Sequence, residues 1–205
     1  MVWRRLFPRP RPTAEGELIY IRPPHRSDFR EWAALREQSR SFLTPWEPVW
    51  ASDELSLAAF RARLSRARRE AKSGSAHVFF IFEKKSHRLV GGITLGHMRH
   101  GVAMSAQIGY WIGEPHAGKG YMTDAVRTLV QYGFDRLDLH RLEAACIPGN
   151  LRSVRVLEKA GFAREGLLKS YLKINGQWQD HLLFARISGV TDGCEVVGGP
   201  GCSRP

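Results

Sequence analysis

Ile108-Gly-Tyr-Trp-Ile-Gly-Glu-Pro-His-Ala-Gly-Lys-Gly-Tyr-Met122 is the stretch that decides how this chain folds. Its opening residues are aromatic and β-branched, which reads as a strand. Gly118 and Gly120 then permit a tight turn whose N–H groups converge. From Tyr121 the apolar spacing becomes helical, through Ala125, Leu129, Tyr132, Gly133 and Phe134 to Leu137. Unpaired amides and a positive dipole end at such a helix start form a cradle for phosphate. The segment has no Gly-x-Gly-x-x-Gly and no Lys-Ser/Thr after the loop, so neither a dinucleotide fingerprint nor a P-loop fits.

Upstream, His77–Phe82, Leu89–Leu95 and Val102–Gly113 read as three strands of an antiparallel meander. Before them, Leu18–Arg22 is a short strand stopped by Pro23 and Pro24. A helix starts at Ser27-Asp28 and carries Phe29, Trp32, Leu35 and Arg36. Phe42-Leu-Thr-Pro-Trp-Glu-Pro-Val49 reads as a structured loop, because two prolines oppose regular helix. Ser52-Asp53 is the expected cap of a second helix bearing Leu55, Phe60 and Leu64, whose later turns hold Arg61, Arg63, Arg66, Arg68, Arg69 and Lys72. Downstream come a strand at Arg141–Ile147 and a helix at Leu151–Ala160 closed by Gly161. Strands at Phe162–Lys173 and His181–Ile187 flank an Asn175-Gly176 turn. The expectation is one α+β domain over residues 18–187, a mixed and largely antiparallel sheet flanked by helices. Residues 1–17 read as a basic, extended arm, and residues 188–205 as a Gly-rich tail too poor in apolar groups to order itself.

The 205 residues include 31 Lys and Arg against 20 Asp and Glu, for a net charge of +11. That balance attracts polyanions but does not choose between nucleic acid, a ribosome surface, an acidic peptide and a phosphate-bearing cofactor. No window approaches a membrane span, and the first residues lack the apolar run of a secretory signal, so the expected address is cytoplasmic. The three cysteines, Cys146, Cys194 and Cys202, have no metal-ligand spacing, and no metal is expected.

A second motif, Asn150-Leu-Arg-Ser153-Val-Arg-Val-Leu-Glu-Lys-Ala-Gly161-Phe162, follows the first at the distance of one helix and one strand. Together the two segments resemble the Gcn5-related N-acetyltransferase (GNAT) family over roughly Leu18 to Ile187. There a Gln/Arg-x-x-Gly-x-Gly/Ala loop opens the helix that binds the CoA pyrophosphate, and an Asn-x-x-Ala/Ser…Gly-Phe helix flanks the pantetheine arm. Within the family the pattern is similar to the RimJ/RimL type, which acetylates N-termini of ribosomal proteins. Pro45-Trp-Glu-Pro48 and Asn175-Gly-Gln-Trp-Gln-Asp-His181 look particularly like the RimJ alanine acetyltransferases. Two positions depart from the family pattern. Pro115 stands where a Gln or Arg often precedes the loop, and Leu157 stands where many members carry a thiolate-protonating Tyr.

The resemblance implies acetyl-CoA wedged between the Tyr110–Gly113 strand and the Cys146 strand. Tyr110, Trp111, Ile112 and Gly113 would then meet the thioester and pantetheine, Gly118, Lys119, Gly120, Tyr121 and Met122 the pyrophosphate, and Asn150 and Ser153 the thiol end. Ser153 is the nearest hydroxyl to replace the missing Tyr. The acceptor would be the α-amine of a protein, with a ribosomal protein beginning in Ala or Ser expected, and no protein nucleophile is needed. Trp46 is expected to wall the acceptor pocket, with Glu47, or Asp180 with His181, as ammonium partner or base. Two alternatives remain at this point. One is a GNAT enzyme for a small amine such as an aminoglycoside or polyamine. The other is a basic ribosome- or RNA-binding module that uses the arm and the Arg61–Lys72 helix.

Overall fold

The computed structural model describes residues 11–189. In chain order the elements are β1 (Ala14–Glu15), β2 (Ile19–Arg22), α1 (Phe29–Gln38), α2 (Arg40–Leu43), α3 (Leu57–Ser73), β3 (His77–Glu83), β4 (Leu89–Arg99), β5 (Ser105–Ile112), α4 (Tyr121–Leu137), β6 (Arg141–Cys146), α5 (Leu151–Lys159), β7 (Ala163–Ile174) and β8 (Gln177–Ile187). The strands form one eight-stranded sheet in the order β1-β2-β3-β4-β5-β6-β8-β7. Every neighbouring pair is antiparallel except β5 and β6, which run parallel with α4 as the crossover. This is the mixed α+β architecture the sequence led us to expect.

Side-chain alternation builds a core on each face of the sheet. Ile19, Ile21, Phe79 and Ile81 point to one face, where they pack with Val126, Leu129 and Leu142 under α4. Their neighbours Tyr20, Phe80 and Phe82 point to the other face and pack with Trp32, Leu35, Phe60 and Leu64 from α1 and α3. The β7–β8 turn has Asn175 and Gly176 at φ 44° and 81°. Two successive positive φ values suit an Asn-Gly hairpin. At the start of α4, the Asp124 carboxylate accepts the N–H groups of Glu17, Leu18 and Ile19 at 2.7–3.2 Å and so ties the β1–β2 turn to the helix.

Five local expectations are corrected. Part of the expected arm is sheet, because Ala14 and Glu15 pair with Ile21 and Tyr20; residues 1–10 and 190–205 lie outside the described residues. Ser56, not Ser52-Asp53, caps α3, its hydroxyl accepting the Ala59 N–H at 3.1 Å. The Phe42–Val49 segment is more helical than its prolines suggested. It begins inside α2 and continues as a 3₁₀ turn over Thr44–Trp46, where Pro45 needs no intrahelical donor. Val102 belongs to a turn, and β5 begins at Ser105. Finally, β8 starts at Gln177, four residues earlier than expected, which places Asp180 and His181 inside a strand.

Gly91 on β4 tests the packing that holds β5 in place. A Cβ there would come within 2.4 Å of the Trp111 carbonyl oxygen, whereas one at Gly109 would meet nothing within 4 Å. Gly91→Ala is expected to cost about 2 kcal/mol, a fall of roughly 4–8 °C in the thermal midpoint. Gly109→Ala should leave the midpoint within a degree or two. Equal midpoints for the two variants, measured by calorimetry, would contradict this packing.

Candidate active site

The site arises where two parallel strands part. The β5–β6 register runs from Ser105 opposite Arg141 to Ile108 opposite Ala144 and stops there. β5 continues to Ile112 and β6 to Cys146, so the backbone groups that face the gap lose their sheet partners. β5 remains anchored on its other edge, paired with β4 from Arg99 opposite Ser105 to Gly91 opposite Ile112. The gap opens into a cavity of about 510 Å³ lined by Ile108–Ile112, Ala144–Ile147, the 116–123 loop and helix start, α5, the Trp46 loop and His181.

At one end lies the glycine loop. Gly118 and Gly120 have φ of 76° and 83°, and Gly120 is the N-cap of α4. Side chains other than glycine rarely adopt that conformation. A Cβ at Gly118 would meet nothing within 4 Å, so the space above the loop is open. The first N–H groups of α4 have no intrahelical acceptor, and Lys119 lines the cavity beside them. These features fit a pyrophosphate. Tyr121 donates to the Glu83 carboxylate, which raises the phenol's pKa and orients the ring against His116. Burial, and then the nearby Lys119, hold His116 below its ordinary pKa.

In the middle of the cavity Asn150 caps α5, its Oδ1 accepting the Ser153 N–H at 3.1 Å. The Ser153 hydroxyl lies 2.7 Å from the Tyr110 hydroxyl. Burial pushes the Tyr110 phenol well above its ordinary pKa, against the smaller opposing effect of its hydrogen bond to Ser153, so the phenol keeps its proton. Cys146 lines the same wall, and burial raises its thiol. Leu157, at the position of the absent Tyr, is fully buried in the core.

Phe42, Leu43, Trp46, Glu47 and His181 line the cavity as well. Trp46 stays 40% exposed, as a wall and not as core. Both Glu47 carboxylate oxygens are engaged: Arg36 Nη1 and Nη2 donate to them at 3.1 and 2.6 Å, and Trp50 Nε1 donates at 2.7 Å. His181 is 3% exposed, and its Nδ1 lies 2.9 Å from the Gln179 carbonyl oxygen. A carbonyl only accepts, so Nδ1 carries the proton and the neutral ring has its lone pair on Nε2.

The structure therefore brings together Trp46, Glu47, Tyr110, Trp111, Ile112, Gly118, Lys119, Gly120, Tyr121, Met122, Asn150, Ser153 and His181 around one cavity. Two expected residues do not line it. Gly113 packs on α1, where a Cβ would strike Leu35 at 2.4 Å. Asp180 faces the other side of β8, where Lys169 at 2.7 Å and the Ser170 N–H at 2.9 Å lower its pKa. Sequence reasoning missed Arg152, Arg155 and Lys159 on α5, all of which line the cavity. Their i, i+3, i+7 spacing was a usable signal for one basic helix face. It also missed Arg36, whose partner Glu47 lies eleven residues on, beyond α2. Among the described residues, no group of His, Cys, Asp and Glu is placed to hold a metal ion. None of the described helices is long and apolar enough to cross a membrane.

Comparison with known proteins agrees with this geometry. The profile of the acetyltransferase (GNAT) domain matches residues 19–163. A probable N-acetyltransferase, YjcK, of Bacillus subtilis is 39% identical over 171 residues, covering 83% of this chain and 94% of its own. The [ribosomal protein uS5]-alanine N-acetyltransferase of Escherichia coli is 33% identical, covering 89% of this chain and 93% of its own. The solved structure of Mycobacterium smegmatis RimJ in complex with CoA-disulfide superposes with a TM-score of 0.79 at 35% identity, covering 83% of this chain and 82% of that one. The diverging strands, the glycine loop at a helix start and these matches lead to one conclusion: the chain belongs to the GNAT family and is an acetyl-CoA-dependent N-acetyltransferase.

Proposed function

We propose that this enzyme acetylates the α-amine of a protein N-terminus, with a ribosomal protein beginning in Ala or Ser as its acceptor. The observation that carries this reading is the charge of the cavity wall. Lys119, Arg152, Arg155 and Lys159 line it, and the one carboxylate among its described lining residues, Glu47, is already paired with Arg36. Such a wall suits a cofactor bearing phosphates and disfavours a polyamine or aminoglycoside, which would need unpaired carboxylates. An α-amine also asks less of the site. Its pKa of about 7.7–8 lies roughly 2.5 units below that of a lysine amine, so freeing it of a proton costs about 3 kcal/mol less. The E. coli relative acts on an N-terminal alanine by its name, which supports the same acceptor class.

Acetyl-CoA supplies an activated acetyl thioester, which the amine attacks directly. The amides at 118–122 and Lys119 hold the pyrophosphate, and Asn150 and Ser153 flank the thiol end. N–H groups of β5 between Gly109 and Ile112 that face the gap stabilise the carbonyl oxygen as charge develops on it. His181 Nε2 takes the amine proton, with Gln179 fixing the tautomer. The Ser153 hydroxyl, held 2.7 Å from the protonated Tyr110 phenol, gives a proton to the departing thiolate and regains one from solvent. Glu47 holds the acceptor loop in place, and Trp46 covers a small first side chain. His181→Gln should lower kcat by about a hundredfold. Ser153→Ala should lower kcat with little change in the acetyl-CoA KM. A rise in acetyl-CoA KM alone would make Ser153 a binding residue, and an unchanged kcat for His181→Gln would remove it as the base.

The acceptor class is tested with short peptides. Those beginning with Ala or Ser should be acetylated faster than the same peptides beginning with Leu or Asp. A blocked N-terminus should abolish turnover even when an internal Lys is present. Acetylation of the internal Lys with the free N-terminus untouched would overturn the α-amine reading, and efficient turnover of spermine would favour the small-amine alternative.

The exposed face of α3 presents Arg61, Arg66, Arg68, Arg69 and Lys72, with Glu70 4.0 Å from Arg66. We propose this face as a docking surface for the phosphate backbone of an RNA-rich acceptor particle. Replacing Arg61, Arg66, Arg68 and Arg69 by Glu should abolish cosedimentation with ribosomes at low salt and leave peptide acetylation unchanged. Undiminished cosedimentation would make the face an ordinary solvated one.

A further inference from the structure

We infer that Arg36 is a positioning residue that locks the acceptor loop to the strand carrying the thioester, and so sets the distance between amine and carbonyl. The inference deepens the acceptor reading above and rests on it. Arg36 is 6% exposed on α1. Its guanidinium carbon stands 4.3 Å from the Trp50 ring centroid and 5.0 Å from that of Trp111. The same guanidinium forks onto Glu47, at 3.1 and 2.6 Å. Trp111 belongs to β5, whereas Glu47 and Trp50 belong to the acceptor loop. One cation thus touches both elements that must meet for transfer.

The remaining contacts favour positioning over general stabilisation. Arg36 Nε is buried without a hydrogen-bond partner, so Glu47 and the indole faces are what hold this side chain. Leaving such a donor unpaired costs stability, and a buried ion pair is weak evidence of stabilisation in itself. The loop has one further backbone tie, from the Asn175 N–H to the Glu47 carbonyl at 2.9 Å. Trp111 is fixed from the other side, since any Cβ on Gly92 would lie 2.4 Å from its indole nitrogen. The planar, forked and stackable cation matches all three partners, which a lysine ammonium cannot do.

The test uses acetyl-CoA, a short peptide beginning with Ala, and the full-length protein. Arg36→Met should raise the peptide KM about tenfold or more and leave the acetyl-CoA Kd within twofold, which also reports an intact fold. Arg36→Lys should behave like Arg36→Met. Trp50→Leu, which keeps the ion pair, should raise the peptide KM by a smaller factor. The double variant Arg36→Met with Glu47→Gln removes the unpaired charge but not the lost clamp, so its peptide KM should stay high. A wild-type KM in the double variant, or in Arg36→Lys, would reduce Arg36 to a neutralising charge and overturn the proposal. Amide exchange gives an independent readout that does not depend on the acceptor. The Asn175 N–H, which donates to the Glu47 carbonyl of the loop at 2.9 Å, should exchange at least tenfold faster in Arg36→Met, with the N–H groups of α4 unchanged. Unchanged exchange at Asn175 would also overturn the clamp. Absence of peptide turnover by the wild type, with faster Asn175 exchange in the variant, would refute the acceptor class and leave the clamp standing.

Discussion

The structure depends on one interruption: β5 and β6 are hydrogen-bonded up to Ile108 and Ala144 and then separate. Backbone groups buried away from water must find partners, so the divergence is stable only where something else satisfies the gap. β4 secures the far edge of β5, which lets the near edge open without melting the strand. In our reading the open edge then offers N–H donors to a thioester and its amide-bearing arm. The glycine loop and α5 stand at the two sides of the same opening. Fold and catalysis share this constraint, because closing the sheet would remove the site.

Electrostatics divides the opening into two halves. In our reading the cofactor half is the one made cationic by Lys119, Arg155 and Lys159, together with the start of α4. The acceptor half holds a carboxylate that its own neighbours have neutralised, and a histidine whose tautomer is set by a backbone carbonyl. In our reading the proton leaves on one side, toward His181, and a proton returns on the other, from Ser153.

Much of the fold was legible because its signals are local. Periodicity alone placed α4 at Tyr121–Leu137, and Asn175-Gly176 marked a turn that few other residue pairs make. The glycine loop and the Asn150 cap were legible for the same reason. The signals that failed were tertiary. Glu47 looked like an available carboxylate on a stiff loop, because the pattern did not show that the chain after α1 folds back to bring it onto Arg36, eleven residues earlier. Asp180 and His181 looked like a pair, but in a strand adjacent residues face opposite ways, and only the observed start of β8 decides which one enters the cavity. Ser52-Asp53 offered the same capping chemistry as Ser56, and it is Ser56 whose hydroxyl accepts the Ala59 N–H.

The most direct test of the central claim is amide hydrogen exchange of the full-length protein with and without acetyl-CoA. The account predicts that the gap-facing amides of Gly109–Ile112 and those of the 118–122 loop become strongly protected on binding, while the β3–β4 amides barely change. Protection confined to another surface, such as the small cleft lined by Thr13, Thr128 and Asp135, with none at 109–122, would contradict it.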